Sequence, residues 1–181
     1  HNYGNSDMST NQWPPLAMLA SEENMGPFIT IPTWVKDEMA TFLDYCFSDD
    51  ENNDHGHYGY TAANQYINVT KAAAGLICQY FRGLGPDHPM NQATLGFIYR
   101  HWNDNGHGWD DTRIHGNSYG MYGVMKALRI PQPDILQVPE YAYWDNPRHQ
   151  TGNSFDWYYP TNTNTHEGLA HYCVRTQYDS S

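Results

Sequence analysis

Apolar positions along this chain recur mostly with the 3.6-residue period of an α-helix. Val69, Ala73, Leu76 and Tyr80 fall on one face, which Ala72 and Ile77 widen. Asn68 or Thr70 can cap the start, and Gly83, Gly85 and Pro86 form a stop. A second helix begins near Pro89, tolerated there because a first-turn N–H would be unbonded anyway. Met90, Thr94, Phe97 and His101 mark its face, and the short link makes the two helices an antiparallel pair.

The same alternation lies on both sides. Residues 1–12 read as polar and loose. Trp13, Leu16, Leu19 and Ala20 then begin an amphipathic helix, with Pro14 and Pro15 in its first turn and closure at Asn24 and Gly26. Val35, Met39, Phe42 and Cys46 follow Pro32. Tyr122, Met125 and Leu128 follow an Asn117-Ser118 cap. Prolines 131, 133, 139, 147 and 160 break the next stretch into a loop, and Leu169 and Tyr172 place a last helix between Thr165 and Gln177. The first helices of these units start about fifty residues apart, a period typical of stacked supersecondary units. The chain therefore reads as all-α: three antiparallel hairpins over roughly residues 9–60, 61–109 and 110–181, in one domain or a fragment of a larger one.

Composition narrows the partners. A formal charge of −11 argues against nucleic acid and anionic membrane surfaces. Charged residues at 16% beside aromatics at 15% do not make a disordered composition. No apolar run approaches the ~18 residues of a membrane span. Cys46, Cys78 and Cys173 are odd in number and lack CxxC spacing, so buried thiols and a single disulfide both stay open. Scarce lysine with abundant Asn, Tyr, Gly and Asp suggests an extracellular or cell-surface protein. The chain opens on His1 and stops where another polar corner would start, so it reads as processed or excised. Asn68-Val69-Thr70 is a glycosylation sequon, although a helix cap explains the same residues.

The polar corners between helices carry a further signal. Gly56-His57-Tyr58-Gly59-Tyr60 resembles the Gly-Gly-Phe-Gly-Tyr corner of the prenyltransferase and squalene-cyclase repeat family. Asn105-Gly106-His107-Gly108-Trp109 looks like a variant, and Gln177-Tyr178-Asp179-Ser180 is similar to the start of another family corner. Ser118-Tyr119-Gly120-Met121-Tyr122-Gly123 and Asp156-Trp157-Tyr158 are similar to segments of secreted members. This resemblance implies an α/α toroid, whose ring further repeats of the same protein or another copy would complete.

The family's catalytic signatures are not intact, which leans against an enzyme. A terpene cyclase protonates an alkene with the central Asp of Asp-x-Asp-Asp. The nearest match, Gly108-Trp109-Asp110-Asp111, has Gly where the first Asp belongs. Asp110 and Asp111 are the catalytic candidates, with solvated loop carboxylates as the plain alternative. A terpene-cyclase or lyase-like enzyme with part of its site elsewhere is the competing function. The family's zinc pattern finds only Asp44-Tyr45-Cys46, and His166 and His171 are one residue too far apart for a zincin pair.

Asp49, Asp50, Asp54 and Asp104 are candidate ligands for calcium, although neither acidic turn matches an EF-hand loop, and a solvated turn explains them as well. Tyr119, Tyr122, Trp144, Asp156, Trp157 and Tyr158 are the candidate ligand-binding residues. Such aromatics can line an apolar cavity or form a flat platform, and core packing explains part of them. The preferred function is a non-catalytic binding or assembly role.

Overall fold

The computed structural model describes residues 7–50, 54–104, 114–115, 117–131, 133–141, 150–159 and 166–178. In chain order it builds α1 (Met8–Asn11), α2 (Trp13–Met25), α3 (Thr33–Cys46), β1 (Phe47–Ser48), β2 (His57–Tyr58), α4 (Val69–Phe81), α5 (Pro89–His101), α6 (Ser118–Arg129), β3 (Gln137–Tyr141), β4 (Gln150–Asp156) and α7 (Leu169–Tyr178). A short 3-10 turn, Gly26–Phe28, follows α2.

The fold is mixed rather than all-α. β1 and β2 pair antiparallel with Phe47 opposite Tyr58, and β3 and β4 pair antiparallel with Val138 opposite Phe155 and Tyr141 opposite Gln150. The second hairpin occupies the stretch whose prolines read as loop. Pro139 is accommodated because both strands of a two-stranded sheet are edges, where a missing N–H need not break a ladder. The sheet interrupts at that place, with an irregularity between Pro139 and Tyr141. Val138, Tyr141 and Phe155 turn inward and are buried. The amino-terminal stretch also departs from expectation: Asp7 caps the single turn α1 by accepting from the Thr10 N–H at 2.9 Å, and Met8 is fully buried.

Helix α4 is the centre of the core. Asn68 caps it, accepting from the Lys71 N–H at 3.0 Å, so the sequon asparagine works as a helix cap. All of its residues are buried, and α1, α2, α3, α5, α6 and β2 pack around it. Two of the polar side chains it buries have partners, while the buried Tyr80 hydroxyl has no hydrogen bond. The Lys71 ammonium sits over the Tyr60 ring at 5.5 Å, and the Gln79 amide donates to the Tyr58 hydroxyl at 2.9 Å.

Two glycines let the corner close against this core. A Cβ on Gly75 would stand 2.2 Å from the Tyr58 ring, so that ring occupies the space a side chain would need. Gly56 has φ +82°, and a Cβ there would meet the Ala93 carbonyl oxygen at 2.1 Å. The corner is thereby wedged between α4 and α5. One apolar cluster joins α4, α5, α6, β3 and β4 around Trp102. A second joins Met8, Phe42, Leu43, Cys46, Tyr58, Ala74 and Cys78.

Candidate functional site

A charged cluster beside a pocket forms where α5 ends. The last turn of α5 carries Arg100 and His101, a position the helix dipole favours for cations. Asp104 follows in the turn, and the corner before β2 brings Asp54, held at φ +62°. His101 is clamped from both sides: Nε2 faces the Asp54 carboxylate and Nδ1 the Asp104 carboxylate. Arg100 donates from Nη2 to Asp54 Oδ1 at 3.1 Å and to the His55 carbonyl at 2.7 Å. His57 fixes the loop from behind, with Nδ1 2.6 Å from the Asp54 carbonyl and Nε2 2.7 Å from Asn64 Oδ1.

Opposing effects set the protonation states here. Burial alone lifts the Asp54 carboxyl, but hydrogen bonding and the charges of His101 and Arg100 outweigh it and hold the pKa below the usual value. Burial alone lowers the His101 pKa, but its bonds to Asp54 and Asp104 and their charges raise it above the ordinary histidine value. The raised pKa favours the imidazolium form, and both ring nitrogens are engaged by carboxylates. It has no nitrogen left to take a proton from a substrate. The adjoining pocket, about 180 Å³, is lined mainly by Ile67, Asn68, Val69 and Phe97 besides His101 and Asp104. The cluster fastens the corner to α5.

The calcium candidates do not converge. Asp54 and Asp104 are engaged by His101, and the Asp49 side chain faces His55 at 3.6 Å. The Asp50 N–H approaches the Ser48 hydroxyl at 3.5 Å. Among the described residues, no group of three or more His, Cys, Asp or Glu is arranged to hold a metal ion. Asp110, Asp111 and Trp144 lie outside the described residues.

The aromatic candidates divide into two places. At the end of β4, Asp156 Oδ1 accepts from the Tyr158 and Tyr159 N–H groups at 2.8 and 2.7 Å. Its carboxylate is thus a turn-forming group. Trp157 is buried and donates to the Ile135 carbonyl at 2.7 Å, which makes it a core residue, while Tyr158 is half exposed. Tyr119 and Tyr122 lie on α6 and meet α2. The Tyr119 hydroxyl donates to the Ser9 carbonyl at 2.5 Å and accepts from the Gln12 amide at 2.6 Å. Trp13 stacks on Tyr122 with ring centroids 5.9 Å apart.

Beyond that stack α2 and α6 enclose an open groove of about 750 Å³. Its floor is Leu16, Leu19, Ala20, Met125 and Ile130. Glu22 and Glu23 line the α2 wall, and Lys126 and Arg129 the α6 wall. Sequence reasoning missed this groove. Its lining comes from α2 and α6, which lie far apart in the chain, so no local pattern marks it.

Comparison with known protein families, with curated proteins and with solved structures finds no match to this chain.

Proposed function

We propose that this chain, whose polar corners resemble those of the prenyltransferase and squalene-cyclase repeats, acts outside the cell or at its surface by docking against another protein surface. The groove between α2 and α6 carries this reading. It is wide, apolar at its floor and charged on both walls, the anatomy of a protein-binding surface. Met25, Phe28 and Trp34, at and after the end of α2 in the chain, are also strongly exposed apolar side chains. The Lys36–Glu22 pair at 3.6 Å and the bond from the Ile31 N–H to Glu22 at 3.1 Å tie the segment after α2 to the groove wall.

Catalysis has no comparable support among the described residues. The charged cluster at His101 has both ring nitrogens engaged. The discriminating experiment incubates the purified chain with squalene and with isoprenoid diphosphates and follows product formation and thermal shift. Docking predicts neither turnover nor a shift. Turnover by the purified chain would overturn this reading in favour of the enzyme.

A further inference from the structure

We infer that the occupant of the α2–α6 groove is a second copy of this chain, docked face to face about a two-fold axis. The inference rests on the groove being a docking surface and names its partner. The charges of the two walls decide it. The α2 wall is acidic through Glu22 and Glu23, and the α6 wall is basic through Lys126 and Arg129. Glu22 already meets Lys36 and Arg129 already meets Asp134 within one copy, so a partner must present positive charge to Glu23 on α2 and negative charge to Lys126 on α6, side by side across an apolar strip. Among the described surfaces, this face turned through a two-fold axis meets that requirement: α2 of one copy faces α6 of the other, twice over.

The overall charge makes the location informative. Two copies, each at −11, repel one another in general. Around the groove the balance differs. Lys36, Lys126 and Arg129 stand beside Glu22, Glu23 and Asp134, which Arg129 meets at 3.3 Å. The charges that line the groove, Glu22 and Glu23 against Lys126 and Arg129, balance, so a second acidic copy meets less repulsion here than the net charge implies. Ala17 and Ala20 are exposed on α2 and small enough to let a partner helix come close.

Sedimentation velocity across the micromolar range tests the inference, with Glu23→Lys and Lys126→Glu as separate variants. Each variant places like charges across both halves of a two-fold contact, so each alone is expected to shift the dimer dissociation at least several-fold toward monomer. Mixing the two is expected to restore association, because each heterodimer then pairs opposite charges twice. Leu19→Arg, which charges the groove floor, is expected to give monomer, with circular dichroism confirming that all variants remain folded. A wild-type chain that stays monomeric throughout overturns the inference. So does a dimer indifferent to these substitutions, or one that mixing fails to restore. None of these results bears on isoprenoid turnover, so failure here is separable from failure of the docking reading.

Discussion

Replacing His101 with glutamine removes the charge at the corner while keeping a hydrogen-bonding side chain. The size of the effect follows from exposure. The His101 side chain is 25% exposed, and the Asp54 and Asp104 side chains are 34% and 47% exposed. The inner bond to Asp54 is charge-assisted and half-buried, and such bonds contribute about 1.5 kcal/mol. The outer pair with Asp104 is screened by solvent and contributes about 0.5 kcal/mol. Losing both would cost about 2 kcal/mol, an upper bound because glutamine can still hydrogen-bond, so the Tm drop should be at most roughly 4–8 °C for a chain of this size.

The pH dependence gives the sharper test. The folded-state pKa of His101 lies above its ordinary value. Its contribution is therefore complete below about pH 6.5 and is lost as the pH rises through the folded value. His166 runs the other way. Burial lowers its pKa, so stability rises as the pH passes its ordinary value. Asp54, with a depressed pKa, loses its contribution only in acid. Urea titrations of wild type and His101→Gln at about pH 6 and about pH 9, subtracted at each pH, cancel the His166 contribution. The difference should be largest at the lower pH and shrink at the higher. An equal difference at both would refute the imidazolium clamp.

Three further outcomes follow from packing and burial. Gly75→Ala forces a methyl into the Tyr58 ring at 2.2 Å and should cost about 2–3 kcal/mol by urea titration, despite the better helix propensity of alanine. Gly56→Ala and Gly83→Ala share a positive φ, but only at Gly56 does the new Cβ meet backbone, so the first should cost more than about 3 kcal/mol and the second about 1 kcal/mol. Cys46 and Cys78 are buried, which pushes both thiols up to about 12, whereas Cys173 is exposed; a thiol reagent near neutral pH should label Cys173 quickly and the other two only after unfolding.

The helices were legible in the sequence because their punctuation is local. Asn68 and Asn117 cap α4 and α6 as their side chains allow, and Gly83 and Pro86 follow the end of α4. The strands were not legible. β1 and β2 are two residues long, too short for any period to register. In β4, Gln150 to Ser154 are all exposed, so the apolar alternation that signals a strand is missing. The charged cluster escaped for a different reason. His101 and Asp104 are neighbours in sequence, but Asp54 reaches them only because the corner is wedged between α4 and α5 by Gly56 and Tyr58. Asp156 and Trp157 looked like a ligand pair because they are adjacent. The chain instead uses one to form a turn and buries the other.

Hydrogen–deuterium exchange of the purified wild-type chain, at low and high protein concentration, locates the docking surface directly. Exchange in residues 16–25 of α2 and in 125–130 at the end of α6 and just beyond it should slow as concentration rises, while residues 54–60 and 101–104 stay unchanged. Protection appearing at the His101 corner or on the β3–β4 hairpin instead, or nowhere at any concentration, would contradict the assignment of the groove.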